Sequence, residues 1–439
     1  MRVAVQGLWH LGSVTAACLA AAGHDVVGFD EDQAAVAGLS AGTPPIAEPG
    51  LPELVQAGIA GHHLSFTTDA PEAVTEAEVL WVTYDTPVDE NDVADVGFVV
   101  DRIKATLPLL PKQCFVVVSS QLPVGSIAAL EASANTIGRD DLGFACSPEN
   151  LRLGKAIEVF AEPDRVVLGV RHAAGAEKFK RLMAPITANV LVMGVESAEM
   201  TKHAINSFLA MSVAFANEIA TVCEIAGADA DEVALGLKSE SRIGPRAYLG
   251  PGAAFAGGTL ARDISFLAAR GRDAGADLAL IPAVAISNDR HRNWAFNRLQ
   301  SLLGPLAGRR VAILGLTYKP GTDTLRRSSS VELARALLAA GATVGAFDPA
   351  VAALPPDLAL PIELAPSAAA AVAGADAVVI GTDWPEFRQL DWPQLLSTLA
   401  RPVVVDANGW LKAALGGEAN VTYASVGRLT RALVAEAGA

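Results

Sequence analysis

Short apolar runs alternate with stretches of helical periodicity over the first part of the chain. Residues 2–6 form an apolar run, followed by a glycine turn, an Ala-rich helical segment and a second apolar run that ends at Asp30. This is the pattern of a βαβ unit. Further apolar strands are predicted at Val79–Thr83, Phe115–Ser119 and Val166–Val170. Because strands that alternate with helices form parallel sheets covered on both faces, residues 1–195 are predicted to be a doubly wound α/β domain.

The pattern changes at Glu196. From there to about Gly227 the chain contains no proline, and its apolar residues recur at helical spacing. This predicts a single helix of roughly 30 residues, nearly three times the mean length of helices in globular proteins. Helices of this length usually bridge domains or pack against a copy of themselves. We therefore predict a helical central domain over residues 196–303.

A second strand, turn and helix begin after Gly304. Residues 309–315 form an apolar run that ends in a glycine turn, and a later apolar run ends at Asp348. This order of elements repeats that of the chain's start, which predicts a second Rossmann-like domain over residues 304–439. The repeat is one of architecture, since the two sequences are not similar enough to indicate a duplication. The predicted fold is therefore α/β, with two Rossmann-like doubly wound domains joined by an all-helical central domain that contains one long helix.

The composition and charge fit a folded protein and disfavour one class of partner. The residues are 51% hydrophobic and 18% charged, a composition unlike that of a disordered chain. At 439 residues the chain is too long for one core. The net charge is −15, with 33 Lys and Arg against 48 Asp and Glu. A nucleic-acid partner would require a basic face, so we expect none. An acidic protein can still bind an anion where a few cations and helix N-termini are placed locally.

Neither the N-terminus nor the cysteines indicate an exported or metal-binding protein. The first residues lack the charged start and continuous apolar stretch of a signal peptide, and no run approaches about 18 uninterrupted apolar residues. The four cysteines are widely scattered and form no CxxC pair, which argues against a disulfide framework or a zinc site. We therefore expect a cytoplasmic protein with no metal and no membrane partner.

The first glycine turn is a candidate dinucleotide site. It reads Gly7-Leu8-Trp9-His10-Leu11-Gly12, and Asp30 ends the strand that follows. In the dinucleotide fingerprint the first glycine forms the turn, the second lets the backbone approach the pyrophosphate, and the acid accepts from ribose hydroxyls. Here Trp9 replaces the second glycine, so the turn alone fits a cofactor site and a purely structural βα turn equally well. Asp30 favours NAD over NADP, because a carboxylate repels a 2′-phosphate.

Further segments occur in the order and spacing of one family. They are PPIAEPGLPELV (44–55), TPVDE (86–90), SPENLRLGKA (147–156), KHAINSFLAMSVAFANEI (202–219), FAGGTLARD (255–263), YKPGTDTLRRSS (318–329) and TDWPEF (382–387). In these segments the chain resembles the UDP-glucose/GDP-mannose dehydrogenases, which oxidise a nucleotide sugar to its uronic acid with NAD. The resemblance covers nearly the whole length. It implies NAD as the cofactor, a nucleotide sugar as the substrate and a homodimer formed through the long helix.

Four residues of the matching segments are candidates for the chemistry. Lys202 and Asn206 lie one helical turn apart, so both project from one face of the long helix. The resemblance implies that the lysine stabilises developing oxyanion charge, that the asparagine orients the hydroxyl, and that Asp263 holds the reacting water or hydroxyl. It also implies that Glu149 is an active-site glutamate. Without the resemblance, the same residues would be a solvated lysine, a surface asparagine, a helix cap and an acid near a helix start.

The resemblance also implies binding residues. Lys319 contacts the sugar nucleotide, Arg326 reaches across to the cofactor, and the loop 241–252 lies over the nucleotide. Together with Arg327, the two basic residues form a cluster of the kind that an acidic protein needs to hold a diphosphate. Read alone, these segments are ordinary turn-rich surface loops. The complete candidate sets are, for the cofactor, Gly7, Trp9, His10, Leu11, Gly12, Asp30, Thr86, Gln121 and Arg326, and, for the substrate, Arg242, Tyr248, Gly257 and Lys319.

The chain departs from the family at the nucleophile. The family oxidises twice, and between the two oxidations a cysteine thiolate attacks the aldehyde, so that a thioester forms and is hydrolysed. The family motif GGSCFPKD aligns with residues 256–263, which puts Thr259 at the cysteine position. A thiol ionises in part near neutral pH, whereas an alcohol needs an adjacent base to become a nucleophile. Gln121, Leu153 and Arg262 also replace family residues, which suggests changed chemistry rather than one tolerated substitution.

These departures favour a reaction simpler than the family's. Hydride transfer needs a rigidly held NAD, an aimed C–H bond and a group that takes the hydroxyl proton, which Lys202, Asn206 and Asp263 could supply. We therefore expect a two-electron oxidation, or a redox-neutral rearrangement such as epimerisation through a transient carbonyl. Two alternatives stay open. One is a full four-electron dehydrogenase that oxidises a hydrated aldehyde without covalent catalysis, and the other is a non-catalytic paralogue that binds the nucleotide sugar.

Overall fold

The computed structural model describes residues 1–88, 94–149, 151–256, 258–415 and 420–430. The chain forms two compact units, Met1–Ile205 (unit 1) and Asn206–Ala439 (unit 2). Each unit contains one β-sheet, and the long helix predicted in the middle of the chain begins in unit 1 and ends in unit 2. Of the candidate site residues, Gly257 lies outside the described residues.

Unit 1 is a Rossmann-like sheet covered by helices. Its described strands are β1 (Arg2–Gln6), β2 (Asp25–Phe29), β3 (Leu64–Thr67), β4 (Val79–Val82), β5 (Phe115–Val118), β6 (Gly143–Cys146), β7 (Val166–Val170) and β8 (Val190–Met193). Its described helices are α1 (His10–Ala21), α2 (Gln33–Ser40), α3 (Leu51–Ala60), α4 (Ala70–Val74), α5 (Val96–Thr106), α6 (Ser126–Thr136), α7 (Ala156–Ala161) and α8 (Ala173–Met183). The strand order is β3-β2-β1-β4-β5-β6-β7-β8.

The strand order of unit 1 reverses at β1. This strand pairs in parallel with β2 on one side and with β4 on the other, and ligands of open α/β sheets bind at the carboxyl ends of strands at such a point. The four strands predicted from the apolar pattern lie within one residue of their predicted bounds. The β6–β7 pair is antiparallel, so the expectation of a wholly parallel sheet is not met there. An antiparallel pair can be joined without a crossover helix over the sheet face, and apolar runs alone do not distinguish the two cases.

Unit 2 combines the second half of the long helix with a second Rossmann-like sheet. The long helix is α9 (Val195–Ala226), and α10 (Ala230–Ser239), α11 (Thr259–Asp273), α12 (Leu280–Arg292) and α13 (Trp294–Leu303) follow it. The described strands are β9 (Arg310–Leu314), β10 (Thr343–Phe347), β11 (Glu363–Leu364), β12 (Ala377–Ile380), β13 (Val403–Asp406), β14 (Thr422–Ser425) and β15 (Arg428–Thr430). The remaining helices are α14 (Ser329–Ala339), α15 (Ala368–Val372), α16 (Trp392–Thr398) and α17 (Lys412–Leu415). The order β11-β10-β9-β12-β13-β14-β15 again reverses at the first strand of the sheet.

The helix α9 is 32 residues long, which confirms the predicted long helix. By length and composition alone it is the one helix of the described residues that could cross a membrane, and 39% of its most apolar window is buried. Polar side chains such as Glu199, His203 and Asn217 are buried on it. Core helices of folded domains meet the same two criteria, so the composition of α9 does not by itself assign it to a bilayer.

Candidate active site

The turn between β1 and α1 requires glycine at its first and third positions. Gly7 has φ of +94°, and a Cβ there would lie 2.7 Å from Cδ1 of Tyr84. A Cβ on Gly12 would lie 1.6 Å from the carbonyl oxygen of Gly7. Both contacts are too short for a side chain, so these two glycines are needed for the packing of helix against sheet. The second glycine of the fingerprint is needed for a different reason, since the absence of a side chain there lets a ligand approach the backbone.

Trp9 occupies that second position. Its backbone has φ of −74° and ψ of −150°, which any residue can adopt, and it is the N-cap of α1 without a capping side-chain bond. The indole is 49% exposed. The tryptophan therefore fits the turn without strain. Its side chain narrows the space that a bound dinucleotide would use.

His10 and Leu11 begin α1, and they offer backbone N–H groups rather than a charged side chain to a ligand. The first turn of α1 contains no acidic residue. A helix N-terminus of this kind attracts anions, because its first N–H groups lack intrahelical partners and the helix dipole is positive there.

Asp30 lies directly after β2, beside this turn. Its Oδ2 accepts from the backbone N–H of Leu8 at 2.6 Å, and its Oδ1 accepts from the N–H of Asp32 at 3.0 Å. The side chain is partly exposed. A carboxylate oxygen can accept more than one hydrogen bond, so Asp30 is both anchored and able to accept from a ribose. The residues of this edge thus fit NAD, since the start of α1 suits an anion and Asp30 can accept from a hydroxyl, and Trp9 is the departure.

Glu48 joins this turn to the segment that contains Glu149, and the sequence reasoning missed it. Its Oε2 is 3.0 Å from Nε2 of His10 and accepts from the N–H of Gly154 at 2.7 Å, while Oε1 accepts from the N–H of Ala156 at 2.8 Å. Burial raises the pKa of Glu48, but these bonds outweigh it and the pKa is lowered overall. The available signal was an acid inside the matching segment 44–55.

The other cofactor candidates of unit 1 lie on two loops, Thr86 after β4 and Gln121 after β5. Thr86 donates its hydroxyl to the carbonyl of Gln121 at 2.7 Å, so the two predicted residues are in direct contact. The loop after β5 is held by Glu199, whose carboxylate accepts from the N–H of Gly125 at 2.7 Å and of Ile127 at 2.9 Å. Glu199 is buried, and burial raises its pKa despite these bonds. Glu199 was not predicted, because nothing in the sequence distinguishes it from a surface acid of the long helix.

Glu149 and Lys202 are the catalytic candidates of unit 1. Glu149 is partly buried. It lies near Cys18 of α1, because burial of the Cys18 thiol and, to a lesser extent, the charge of Glu149 raise the pKa of that thiol to about 12. Lys202 is partly exposed on α9. The neighbouring His203 is buried, with its Nε2 3.1 Å from the carbonyl of Leu122. The lysine therefore projects from α9 next to a side chain that fastens the helix to the loop after β5.

Asn206 and Asp263 form the central contact of the candidate site in unit 2. The amide of Asn206, on α9, donates to Oδ2 of Asp263, on α11, at 2.5 Å. Both side chains are buried, and Asp263 is only 1% exposed. Thr259 is the first residue of α11 and is exposed. Because it precedes Asp263 by four residues, both lie on the same face of the helix. The three residues predicted in this unit are thus adjacent along two helices.

The segment before α11 is held by side chains that the sequence reasoning did not single out. The N–H of Gly252 donates to Asn217 at 2.9 Å, and the N–H of Ala253 donates to Asn408 at 2.8 Å. Asn288 makes two bonds to the backbone of Phe255, at 2.9 and 2.8 Å. Asn217 belongs to a matching segment, which was a usable signal. Asn288 and Asn408 are distant in sequence, and nothing marked them.

The substrate candidates of unit 2 are spread over its surface. Arg242 and Tyr248 are exposed, and Arg242 pairs with Glu240 at 3.0 Å. Lys319 is partly exposed and Arg326 is exposed. A cavity lies at the carboxyl end of β12, between the segment Ala253–Ala256 and the start of α14. Arg327 lines this cavity, whereas the other predicted basic residues do not appear among its described walls.

Comparison with known sequences matches three segments of the chain to one family. Residues 1–187 match the NAD binding domain of the UDP-glucose/GDP-mannose dehydrogenase family, residues 196–290 its central domain, and residues 312–413 its UDP binding domain. The chain belongs to this family. The predicted resemblance is therefore confirmed, and so are the α/β fold with a helical centre and the assignment of NAD as the cofactor.

Individual relatives agree with the family assignment over the full length. The chain is 35% identical to the UDP-glucose 6-dehydrogenase of Pseudomonas aeruginosa, over 98% of each chain. It is 32% identical to the UDP-glucose 6-dehydrogenase TuaD of Bacillus subtilis, over 97% of this chain and 93% of that one. The solved structure of a UDP-glucose dehydrogenase from Pyrobaculum islandicum superposes with a TM-score of 0.82 at 34% identity, covering 92% of this chain and 93% of the other. As a member of the UDP-glucose/GDP-mannose dehydrogenase family, this protein is an NAD-dependent oxidoreductase of the nucleotide-sugar dehydrogenase type.

Proposed function

We propose that this family member carries out a two-electron oxidation of a CH–OH group of a nucleotide sugar, or a redox-neutral rearrangement through the same carbonyl, and stops before a uronic acid. The observation that supports this is the residue at the start of α11. Thr259 occupies the exposed first position of the helix, four residues before the buried Asp263. An alcohol there requires a base to attack an aldehyde, whereas a thiol requires only partial ionisation.

None of the chain's four cysteines substitutes for the missing thiol. All four are buried and none is in a disulfide. Burial raises the pKa of Cys146 to about 12 and that of Cys114 to about 11. Thiols with such values remain protonated near neutral pH and are poor nucleophiles. A covalent second oxidation therefore has no candidate nucleophile of the sulfur type.

The remaining polar groups suffice for one hydride transfer. NAD, when bound, supplies an acceptor for the hydride of the sugar's C–H bond. The chain has to orient the hydroxyl and accept its proton. Asp263, fixed by the amide of Asn206, is suited to hold that hydroxyl and to accept its proton, directly or through an intervening water, and Lys202 stabilises negative charge on the oxygen as the proton leaves. The electron pair of the C–H bond leaves with the hydride, and the product is a carbonyl.

The experiment that tests the proposal counts reducing equivalents. The protein is incubated with NAD and UDP- or GDP-sugars while NADH is recorded and the product mass is determined. One NADH with a product lighter by two hydrogens supports a single oxidation, and an isomeric product without net NADH supports a rearrangement. Two NADH and a uronic acid contradict the proposal.

A matched pair of variants locates the cause. In Thr259→Cys a thiol stands where the alcohol was, and we expect a second NADH per sugar to appear. Thr259→Ser keeps an alcohol and serves as the control, so its stoichiometry should equal that of the unaltered protein. If both variants leave the stoichiometry at one, the residue at this position is not what limits the oxidation.

A second candidate function is the full four-electron dehydrogenation. It is favoured by the names of the relatives, which are UDP-glucose 6-dehydrogenases. Oxidation of the hydrated aldehyde without a covalent intermediate would be slow, because water has to be held and deprotonated in place of the thiol. A non-catalytic binder of nucleotide sugars is the third possibility. Tight nucleotide-sugar binding in the absence of any NAD binding would favour it.

We also propose the residue sets and boundaries on which this function rests. The cofactor set comprises the residues of the first glycine turn with Asp30, Thr86 after β4, Gln121 after β5, and Arg326. The substrate set comprises Arg242, Tyr248, Gly257 and Lys319. Glu149 joins the catalytic set. The division of the chain at residues 195 and 303 into an NAD-binding, a helical and a nucleotide-sugar-binding domain is part of the same proposal. NAD and nucleotide-sugar affinities of single alanine variants test these assignments.

The protein is proposed to act as a cytoplasmic homodimer formed through α9. Phe208, Phe215 and Val222 are exposed on this helix at intervals of seven residues, and Ile225 is exposed beside them. An apolar stripe with heptad spacing is typical of a helix that packs against another helix, and a second copy presents the same stripe. Light scattering after size exclusion gives the mass, and Phe215→Glu should shift a dimer towards monomer. A monomeric unaltered protein would contradict the proposal.

A further inference from the structure

One buried carboxylate of unit 1 contacts segments that are far apart in the sequence. Glu48 is 4% exposed and lies just before α3. Its two oxygens accept from the N–H groups of Gly154 and Ala156 and contact Nε2 of His10, at 2.7 to 3.0 Å. These partners lie 38 residues before Glu48 and 106 and 108 residues after it. A single side chain therefore connects the first residue of α1 with the start of α7.

The hydrogen bond between His10 and Glu48 has a defined direction. Burial raises the pKa of Glu48, but its hydrogen bonds outweigh burial and lower the pKa overall, so the group is ionised near neutral pH. An ionised carboxylate can only accept, so Nε2 of His10 carries the proton and donates. The ring of His10 is therefore committed to Glu48. The backbone N–H of the same residue lies at the start of α1, where it has no intrahelical partner.

Glu48 also fixes one end of the segment that contains Glu149. At the other end of this segment, the N–H of Ser147 donates to the carbonyl of Val118 in the sheet at 3.0 Å. Among the described residues that precede α7, the N-cap Lys155 supplies no side-chain capping bond. Glu48 satisfies the first N–H groups of that helix instead. Because Glu149 lies between these two fastened ends, its position depends on Glu48.

Apolar packing surrounds these polar contacts. Ala156 is fully buried in the same apolar cluster as Leu8 and Val14. A Cβ on Gly50 would lie 3.6 Å from Cδ1 of Ile157, so the turn after Glu48 also packs against α7. Close-packed interiors transmit small displacements instead of absorbing them. A restraint on the start of α1 can therefore reach α7 through the bond between His10 and Glu48.

We propose that His10 and Glu48 are positioning residues that couple NAD binding at the first glycine turn to the placement of Glu149 for the nucleotide sugar. This inference rests on the proposed function, which places Glu149 in the catalytic set. The start of α1 suits the anionic part of NAD, and a ligand there restrains the backbone of His10. The ring of His10 then restrains Glu48, and Glu48 restrains residues 147–156. Because coupling is reciprocal, a nucleotide sugar that contacts this segment tightens cofactor binding by the same factor.

The test measures how strongly one ligand tightens the other. Calorimetry gives the affinity for NADH with and without saturating UDP-glucose, and the reduced cofactor prevents turnover. In the unaltered protein UDP-glucose should tighten NADH about fivefold or more. His10→Ala should reduce this factor to about one, while the affinity for each ligand alone changes less than about threefold. The single affinities are retained because the backbone N–H of residue 10 and the two N–H bonds to Glu48 stay in place.

Two further variants separate coupling from a merely structural role. In His10→Gln the amide Nε2 takes the place of the ring Nε2 as a donor, so the coupling factor should return towards that of the unaltered protein. His63→Ala is the matched control, because it removes another histidine–carboxylate contact of unit 1, to Asp25 at 3.0 Å, beside the amino ends of β2 and β3. Its coupling factor should equal that of the unaltered protein.

Four results overturn the inference while the proposed function stands. They are independent binding of the two ligands in the unaltered protein, full coupling in His10→Ala, no recovery of coupling in His10→Gln, and equal loss of coupling in His63→Ala. If UDP-glucose does not bind, the UDP- or GDP-sugar that yields product in the experiment that counts NADH replaces it. Binding of no nucleotide sugar refutes the proposed function, and the inference fails with it.

Discussion

The two Rossmann-like sheets repeat one local device and use it differently. In each, the first strand ends at a glycine of positive φ, Gly7 at +94° and Gly315 at +93°, because a Cβ would collide with Tyr84 or with the backbone of Thr382. In each, the second strand is followed by an aspartate that accepts from the turn. The shared geometry is thus a property of packing a turn against a neighbouring strand, whether or not a ligand binds there.

The two aspartates differ in what else they contact. Asp30 accepts from two backbone N–H groups and is partly exposed. Asp348 is 2% exposed, and its Oδ2 accepts from the N–H groups of Leu316 and Thr317, from the hydroxyl of Thr317 and from the indole of Trp384, at 2.7 to 3.1 Å. The carboxylate of unit 1 can therefore receive a ribose, whereas that of unit 2 is committed to the fold. The same residue type in the same place is open to a further donor in one sheet and is a structural acceptor in the other.

The largest expected effect follows from removing the committed acid. Asp348→Ala leaves the four donors to Oδ2, and the N–H of Ala350 that bonds to Oδ1, without that acceptor, which should lower the free energy of unfolding of unit 2 by about 3 kcal/mol or more. Urea denaturation measures it, and Asp348→Asn, which keeps an acceptor oxygen, should lose less. NAD affinity of the folded fraction should not change. A stable Asp348→Ala protein with weakened NAD binding would reverse the comparison.

A smaller effect, and of another kind, is expected for the acid of unit 1. Asp30→Ala should weaken NAD roughly tenfold, since ribose hydrogen bonds are lost, while stability falls by no more than about 1 kcal/mol. The preference for NAD over NADP should shrink at the same time, because the charge that repels a 2′-phosphate is gone. Calorimetry with both cofactors measures this. Loss of folding comparable to that of Asp348→Ala would mean that both acids are structural.

The smallest effect sharpens the comparison with a third acid. Asp141 in unit 1 is partly exposed, and the hydrogen bonds from Arg139, with one from the N–H of Gln113, lower its pKa from 3.8 to about 2. Because the folded pKa lies below the unfolded one, its contribution to stability is present above pH 3.8 and is lost as the pH falls towards 2. The stability difference between the unaltered protein and Asp141→Asn should thus narrow over that range. Denaturation curves at several pH values check it, and a constant difference would show that the charge is irrelevant.

Much of the fold and part of the candidate site follow from local signals. Apolar runs such as Val166–Val170 have the length and flanking turns of buried strands. In the proline-free stretch of α9 the apolar residues recur at helical spacing. The sites of Gly7, Asp30 and the pair Lys202 and Asn206 follow from spacing, because a turn or a helix fixes where neighbours in sequence point. Local signals of this kind extend over a few residues, whereas contacts between segments that are distant in sequence leave no such signal.

The sequence by itself determined the order of elements and the family. Only the tertiary structure decided that Asp348 is committed to the turn of its sheet, that Glu48 joins His10 to the start of α7, and that Arg327 lies against the N-cap of α11. The physical reason is the same in each case. A carboxylate or guanidinium has the same chemistry anywhere in the chain, and its role is set by which donors, acceptors and solvent the fold brings within hydrogen-bonding distance.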